Sequence, residues 1–110
     1  MCDSHPDLYD ARRVHARKQY RCTECSGRIA VGTLHEYVFG VWEGDSSNFR
    51  TCLACCEVRD WLCKQENYDC HVFGELREEL SEFARNAAGD ARINAEVELG
   101  AMNLRREAVA

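Results

Sequence analysis

The sequence lacks the features that mark membrane, secreted and disordered proteins. Its apolar runs fall short of the roughly 18 residues that a membrane-spanning helix needs. Met1 to Pro6 show neither the basic start nor the apolar stretch of a signal peptide. Proline occurs once in 110 residues, and 45% of the residues are apolar, which argues against a long disordered linker. We therefore expect one folded domain over residues 1–110, located in the cytoplasm and not in a membrane.

An overall excess of positive charge is also missing, since the formal net charge is −5. Dedicated nucleic-acid-binding proteins usually carry a basic surface, so the sign of the total weighs against that class. The charges are unevenly placed, however: residues 12–28 hold six cations and one anion, whereas residues 57–82 hold eight acids and three bases. The cations are Arg12, Arg13, Arg17, Lys18, Arg21 and Arg28. A local nucleic-acid contact therefore stays open for the basic segment 12–28.

Cysteine is the residue that the chain has in excess, with eight among 110 residues. Small secreted proteins use that many cysteines for disulfides, but such proteins need an export signal and an oxidising compartment. Without an export signal, clustered cysteines in a reducing cytosol are more often metal ligands or redox groups. We therefore favour a metal site over a disulfide scaffold.

Two Cys-x-x-Cys pairs, Cys22 with Cys25 and Cys52 with Cys55, predict a zinc site. Zinc takes four ligands at tetrahedral corners, about 2.3 Å from each sulfur, and a two-residue gap lets one tight turn present two thiolates. Four cysteines close the coordination sphere, so the predicted zinc is structural and leaves no position for a catalytic water. Gly27 follows the first pair and is expected to supply a positive φ in its turn.

The residues around the two pairs predict short strands and helices. Residues 7–19 contain good helix formers and predict a short helix. Leu34 to Trp42 is rich in β-branched and aromatic residues, and with a turn at 43–48 and a return at 49–51 it predicts a β-hairpin. The second cysteine pair then opens a helix over residues 52–64, whose apolar groups recur at helical spacing.

Two further helices are predicted after a loop. Apolar residues at helical spacing predict one amphipathic helix that ends at Gly89 and another that begins at Asp90. Gly100 weakens the second of these, because glycine lowers helix stability. Within the single domain, residues 20–64 are thus expected to form the zinc-binding core and residues 72–110 a C-terminal helical part.

The order of cysteine knuckle, β-hairpin and helix resembles that of treble-clef zinc domains over about residues 20–64. The strings C-x-x-C-S-G-R-I, V-x-G-V-W-E-G and R-T-C-x-x-C are also similar to those of small zinc proteins common in bacteriophage genomes. The resemblance implies an α+β fold, a small zinc-stabilised treble-clef-like unit followed by one or two amphipathic helices. It also implies a location in the cytoplasm of a host, and it implies no particular activity.

A second metal site is one use for the remaining cysteines. Its candidate ligands are Cys56, Cys63, Cys70 and His71. Cys56 and Cys63 fall about 20° apart around a helix but about 10 Å apart along its axis, so they cannot both bind the first zinc. The simpler interpretation is that they are small buried apolar residues, as free cysteines often are. The adjacent Cys55 and Cys56 also leave a one-residue ambiguity in the first site.

Enzyme functions find little support in the sequence. A thioredoxin-like redox pair would belong to a βαβ unit, whereas Cys22 and Cys25 precede a hairpin. A nuclease of the His-Asn-His kind needs a histidine pair and an asparagine around a divalent cation, but the hairpin offers only His35. We therefore expect a protein that is not an enzyme.

Two binding functions follow from the charges. In the favoured one, acidic helix residues contact a protein partner, such as a host protein that is inhibited. These residues are Glu75, Glu78, Glu79 and Glu82. In the alternative, the basic segment 12–28 binds nucleic acid in the manner of a zinc-finger regulator, with Tyr20 available for stacking. Lys18, Arg21 or Arg28 could instead offset the net charge of about −2 on a four-thiolate zinc. An oligomeric state is not predicted.

Overall fold

Five β-strands and three α-helices make up the described part of the chain, residues 8–65 and 72–108, in the computed structural model. In chain order they are β1 (Leu8–His15), β2 (Tyr20–Arg21), β3 (Arg28–Ile29), β4 (Leu34–Trp42), β5 (Asp45–Cys52), α1 (Leu53–Cys63), α2 (Leu76–Asn86) and α3 (Gly89–Glu107). The strands form two antiparallel sheets, one in the order β1-β4-β5 and one of β2 with β3. The fold is therefore of the α+β class.

The structure confirms the predicted hairpin, which β4 and β5 form. Trp42 pairs with Asp45, so Glu43 and Gly44 alone make the turn. Both turn residues have positive φ, 51° and 86°, as a two-residue hairpin turn requires. This tight turn lets β5 begin at Asp45, earlier than the expected start at Phe49, and β5 then runs directly into α1.

The helix predicted over residues 7–19 is wrong, because Leu8–His15 forms the strand β1. β1 pairs with β4 from Leu8 opposite Val41 to His15 opposite Leu34, which makes β4 the central strand of its sheet. Helix propensity is a weak preference, and pairing along a strand of eight residues overrides it. The charged side chains of β1 suit an exposed edge strand, since they discourage pairing with another chain.

An ion pair fixes α1 against one face of the three-stranded sheet. Arg59 donates two hydrogen bonds to the Glu36 carboxylate, at 2.7 and 2.8 Å, and both side chains are mostly buried. A bidentate pair of this kind has a defined geometry and is among the stronger charged contacts. The hydrogen bonds to Glu36 raise the pKa of Arg59. The helix is thereby held in a fixed position on β4.

The core joins the two short strands to the three helices. Its fully buried side chains include those of Ile29, Leu62, Leu76, Leu80 and Met102. Full burial of a large apolar side chain contributes about 1.5–3 kcal/mol relative to leaving it exposed. The same cluster contains Cys22, Cys25 and Cys55. Three of the four predicted zinc ligands are thus part of the core, and the half-buried Cys52 packs against it.

The two C-terminal helices pack against each other, as α2 and α3. α2 ends at Asn86, and Gly89, with a φ of 64°, begins α3 and does not directly end α2. α3 continues through Gly100, because the buried Ala95 and Met102 anchor it on both sides of that glycine. None of the helices in the described ranges has the length and apolar character needed to cross a membrane.

Candidate metal centre and open sheet face

Four cysteine sulfurs meet at one point of the core. The Sγ atoms of Cys22, Cys25, Cys52 and Cys55 all lie within 4.8 Å of one another, and Cys25 Sγ is 3.8 Å from Cys52 Sγ. A tetrahedron with metal–sulfur bonds of about 2.3 Å has sulfurs about 3.8 Å apart. The donor set and the spacing of the sulfurs are therefore compatible with a zinc ion. We refer to these four residues as the metal centre.

The knuckle between β2 and β3 presents the first pair of sulfurs. The N–H of Cys22 donates to the carbonyl of Gly27 at 2.9 Å, and the N–H of Ser26 donates to the carbonyl of Cys22 at 2.9 Å, so the chain reverses tightly. The positive φ of this turn, 61°, is at Ser26 and not at Gly27 as expected. Gly27 is needed for space instead: a Cβ there would lie 3.0 Å from the Cβ of Arg105.

The start of α1 presents the second pair. Cys52 is the N-cap residue of α1, and Cys55 follows in its first turn. Backbone N–H groups donate to the sulfurs: Cys52 to Cys22 Sγ and Gly27 to Cys25 Sγ, each at 3.3 Å. Such donors stabilise thiolates. The cluster includes Cys55 and not Cys56, which removes the ambiguity of the sequence.

Arg105, near the end of α3, is a member of the site that sequence reasoning missed. Its guanidinium donates to Cys25 Sγ and to Cys55 Sγ, both at 3.4 Å. One cation thus bridges the knuckle and the helical pair of cysteines. This contact gives the thiolates a positive neighbour that the sequence analysis sought among Lys18, Arg21 and Arg28. Only the packing of α3 on the knuckle brings Arg105 there.

Without a metal, the four thiols share protons unequally. Hydrogen bonds from Cys22, the other two thiols and Arg105 lower the pKa of Cys25, and a hydrogen bond from Cys22 lowers the pKa of Cys52 to about 7. Contacts with the other three sulfurs raise the pKa of Cys55, and those with Cys25 and Cys52 raise that of Cys22. Four adjacent thiolates repel one another, so a divalent cation is needed to hold them all deprotonated.

Glu24, between the first two cysteines, holds the start of α2. Its side chain is 5% exposed, and its carboxylate accepts hydrogen bonds from the N–H groups of Gly74, at 2.9 and 3.1 Å, and Leu76, at 3.0 Å. A carboxylate at a helix N-terminus satisfies free N–H groups and complements the helix dipole. Sequence reasoning missed this role, because fifty residues separate Glu24 from Gly74.

Two candidate ligands of the second metal site, Cys56 and Cys63, lie within the described residues. Cys56 is buried, its Sγ lies 3.8 Å from the carbonyl of Thr51, and burial raises its pKa to about 11. Cys63 is exposed. Within residues 8–65 and 72–108, neither belongs to a group of side chains that could hold a metal. Cys70 and His71 lie outside the described residues. Cys56 fits the simpler interpretation of a small buried apolar residue.

The sheet face that points away from Arg59 carries arginine and aromatic side chains around an open groove. Strand pairing sets Arg12, Tyr37 and Arg50 opposite one another in one row, and Phe39 is in the next row of the same face. We call this surface the open sheet face, defined by Arg12, Arg17, Tyr20, Tyr37, Phe39 and Arg50, which all line the groove. Arg12 and Arg17 are exposed, and the other four are half-buried.

Arg50 is the centre of the open sheet face. Its guanidinium lies 3.8 Å from the ring centroid of Tyr20 and 4.5 Å from that of Tyr37. Its Nη1 is 2.8 Å from Nε2 of the buried His35, whose Nδ1 is 3.1 Å from the carbonyl of Thr33. Because Arg50 must donate, this geometry assigns the proton of a neutral His35 to Nδ1. Arg50 is thereby fixed in position.

Thr23 joins the metal centre to the open sheet face. Its N–H donates to the carbonyl of Arg50 at 2.7 Å, and its Oγ1 accepts a hydrogen bond from the N–H of Arg50 at 3.2 Å. Thr23 lies inside the first Cys-x-x-Cys pair, so the backbone of Arg50 is hydrogen-bonded to the knuckle between β2 and β3. Arg50 itself was not among the basic residues that the sequence analysis singled out.

The cations of the basic segment 12–28 lie on different surfaces of the structure. Arg12 and Arg17 line the groove, where Arg12 pairs with Asp10, and Lys18 lies 5.5 Å from the ring centroid of Tyr20. Arg13 pairs with Glu36 across the strands, on the face that α1 covers. The exposed Arg21 and Arg28 pair with each other across β2 and β3.

The acidic residues Glu75, Glu78, Glu79 and Glu82 lie at α2 and just before it. Glu79 is half-buried and accepts a hydrogen bond from the N–H of Val72 at 3.3 Å, whereas the other three are exposed.

Comparison of the chain with protein-family models, with curated proteins and with solved structures finds no match.

Proposed function

We propose that this protein is a zinc-stabilised nucleic-acid-binding protein that is not an enzyme, the alternative function of the sequence analysis. The observation that carries the proposal is the open sheet face, on which three arginines and three aromatic rings line one groove. Arginine binds phosphate, and aromatic rings stack on bases, so the two together match the two parts of a nucleotide.

The proposed zinc has a structural role in this function. Four cysteines leave no open coordination position, and the sulfurs are buried or partly buried. The ion would hold the knuckle in place, and Thr23 of that knuckle holds Arg50 of the groove. The order of knuckle, β4–β5 hairpin and α1 supports a treble-clef-like unit as part of the proposal.

A net charge of −5 does not exclude this function, because the acids and the bases are unevenly distributed along the chain. Phosphate binding depends on the local potential of the contacting surface. Among the described residues that line the groove, the cations are Arg12, Arg17 and Arg50, and the acid is Asp10, which pairs with Arg12. The three exposed acids at α2 belong to a different element.

Binding of a fluorescently labelled oligonucleotide tests the proposal. Anisotropy should rise with zinc-loaded protein at 20 mM salt, and the affinity should fall as salt increases, because bound phosphates release counterions. The matched variants are Arg50→Ala, which removes the central guanidinium, and Arg92→Ala, which removes an exposed arginine of α3. An equal loss of affinity in both variants, or no binding by the wild type at low salt, would contradict the proposal.

Protein binding, favoured by the sequence analysis, is the second candidate. The observation in its favour is on α3, where Ile93, Val97 and Leu104 are exposed by 58%, 61% and 68% and follow one another at helical spacing. Such a stripe suits a partner with an apolar groove. Inhibition of a host protein, a bacteriophage origin and a location in the host cytoplasm belong to this second proposal.

An affinity purification from bacterial lysate tests the second candidate. A stoichiometric protein that binds the wild type but not Val97→Glu would support it. The matched control is Val31→Glu, since Val31 is 67% exposed and lies outside the helices. If both variants recovered the same protein as the wild type, a contact through α3 would be contradicted. Recovery of no protein by the wild type would contradict it as well.

A further inference from the structure

We infer that the open sheet face binds single-stranded nucleic acid, with unpaired bases stacked on Tyr37 and Phe39. This inference rests on the proposed function and narrows its ligand from nucleic acid in general to strands whose bases are unpaired. It is carried by the arrangement of rings along β4, by the fixed position of Arg50 and by the small number of cations on the face.

Tyr37 and Phe39 are two residues apart on the central strand, so their side chains lie on the same face of the sheet. Successive positions of one face are about 6.8 Å apart along a strand. Both rings are half-buried and line the groove. The guanidinium of Arg50 lies 4.5 Å from the centroid of the Tyr37 ring, so a base would stack on the part of that ring that Arg50 leaves uncovered. Rings presented side by side on a sheet suit bases that have been splayed apart, because each base needs its own stacking surface.

A duplex does not offer the surfaces that these rings need. In double-stranded nucleic acid the faces of the bases are covered by their neighbours, and proteins read the edges by placing a helix or a ribbon in a groove. The open sheet face presents the flat side of a sheet, and α1 packs on its opposite side. The groove therefore favours unpaired bases over base pairs.

Arg50 prepares the groove for this ligand before binding. Its guanidinium is stacked near both Tyr20 and Tyr37 and is held by His35 and, through its backbone, by Thr23. A side chain that is already ordered loses little conformational entropy when a ligand binds. Arg50 is in this sense a positioning residue for the ring of Tyr37, and it also adds positive charge beside the stacked base.

Asn48 and Asp10 extend the face next to Phe39. The three residues form one row across β1, β4 and β5, and both polar side chains are exposed. An amide offers a donor and an acceptor to the edge of a base, and a carboxylate offers an acceptor. A base stacked on Phe39 would therefore have polar partners at its edge.

The charge of the face sets an expected dependence on salt. If Arg17 and Arg50 each neutralise one phosphate while Arg12 stays paired with Asp10, the logarithm of affinity should fall with the logarithm of salt at a slope of about −1.4. Binding that depended on charge alone would require more cations to reach the same affinity. Stacking supplies the remaining interaction, and it is less sensitive to salt.

The test compares zinc-loaded full-length protein with labelled 12-nucleotide single strands of thymine and of uracil and with a 12-base-pair duplex. We expect both single strands to bind and the duplex to bind at least tenfold more weakly. Phe39→Leu and Tyr37→Leu keep an apolar side chain but remove the stacking ring, and each should weaken single-strand binding by roughly 5- to 150-fold. Phe39→Tyr, which keeps a ring, should restore most of the affinity.

The outcomes separate the inference from the proposed function. Equal or tighter binding of the duplex would overturn the inference and leave the proposed function intact. Single-strand binding that Phe39→Leu and Tyr37→Leu do not change would also overturn the inference, because the site would lie elsewhere. No binding of any strand at 20 mM salt would overturn both. Circular dichroism and a count of bound zinc establish that each variant is folded, and Phe83→Leu, an aromatic change in α2, is the matched control.

Discussion

The metal centre and the open sheet face use polar groups in opposite ways. At the metal centre, donors from the knuckle, from α1 and from α3 enclose four sulfurs, and Cys25 and Cys55 are fully buried. On the open sheet face, aromatic rings and guanidinium groups remain half-buried or exposed around a groove. The first arrangement suits stability, since backbone N–H groups and Arg105 donate to the sulfurs, and the second suits recognition, since its groups line an open groove.

Hydrogen bonds join the two regions. Thr23 belongs to the knuckle between β2 and β3 and forms two hydrogen bonds with the backbone of Arg50: its N–H donates to the Arg50 carbonyl, and its Oγ1 accepts from the Arg50 N–H. A rigid metal centre can therefore fix the position of a residue in the groove. Changes at the metal centre should act on stability and on binding, whereas changes at the exposed arginines of the open sheet face should act mainly on binding.

The largest expected effect is the loss of the metal. Removal of zinc by a chelator, or the substitution Cys55→Ser, should cost on the order of 10 kcal/mol of folding free energy, comparable to the stability of a whole domain. Thermal unfolding followed by circular dichroism measures the loss, and native mass spectrometry counts one zinc in the wild type. Cys56→Ser is the matched control, because Cys56 is adjacent and buried but outside the cluster. Loss of zinc in both variants would refute the ligand assignment.

A fall in pH should release the zinc from the same centre. The pKa values of Cys22 and Cys55 are raised in the metal-free protein, so zinc must displace a proton from each, and its affinity should decrease roughly a hundredfold per pH unit. Below the pKa of Cys52, about 7, a third proton competes, and the decrease should approach a thousandfold per unit.

Zinc affinity at several pH values, measured in competition with a chelator of known pH dependence, checks this prediction. An affinity that stays constant between pH 6 and 8 would mean that the four cysteines carry no protons in the metal-free protein.

Substitution of Arg105 should have a smaller effect at the metal centre. Arg105→Ala removes the cation that donates to Cys25 and Cys55, and loss of such an outer contact typically weakens metal binding 10- to 100-fold. Arg105→Lys should recover only part of the loss, since an ammonium lacks the planar fork that reaches two sulfurs.

Competition with a chelator measures the zinc affinity of these variants. Arg106→Ala, at an exposed neighbouring position, is the control and should bind zinc as the wild type does. Identical affinities for Arg105→Ala and Arg106→Ala would show that the guanidinium does not stabilise the thiolates.

Neutralising Glu24 should destabilise the protein by about 1–2 kcal/mol. Glu24→Gln keeps the size of the side chain but removes the charge that faces the N-terminus of α2 and the N–H groups of Gly74 and Leu76. Denaturant unfolding of zinc-loaded protein measures the difference. Glu78→Gln changes an exposed acid in the first turn of the same helix and should cost less than about 0.5 kcal/mol. An equal cost for both would remove the special role of Glu24.

The smallest expected effect on stability belongs to the open sheet face. Arg17→Ala should change the unfolding free energy by less than about 0.5 kcal/mol, because Arg17 is exposed. The same substitution should weaken oligonucleotide binding and make the salt slope less steep by about 0.7. Anisotropy titrations at several salt concentrations and denaturant unfolding give the two numbers. A loss of stability as large as that of Glu24→Gln would erase the distinction between the two regions.

The sequence predicted the parts of the fold that depend on neighbouring residues. The spacing of Cys22 with Cys25 and of Cys52 with Cys55, the strand Leu34–Trp42 and the helix after it were all visible as local patterns. The start of β5 was placed too late, because the residues that follow Gly44 are polar and also suit a loop. The positive φ was assigned to Gly27 on conformational freedom, whereas the structure needs that glycine for close packing with Arg105.

Other features depended on residues that are far apart in the sequence. Residues 8–15 contain helix formers, yet they form the strand β1 because they pair with the edge of β4. Eighty residues separate Arg105 from Cys25, and no pattern in the C-terminal helix marks that arginine as a neighbour of sulfur. The groove also depends on distant residues, because its lining comes from three different strands. Arg12, Tyr37 and Arg50 share a face only through the strand register.

The amino-acid sequence by itself determined the chemistry of the metal centre, since two closely spaced pairs of thiols define a four-sulfur ligand set wherever the chain folds. Tertiary structure alone decided which cation meets those sulfurs, how Glu24 holds α2 and which side chains surround the groove. The physical reason is the range of the interactions: a knuckle is fixed by hydrogen bonds between near neighbours, whereas a sheet face and a helix contact exist only after distant segments have packed together.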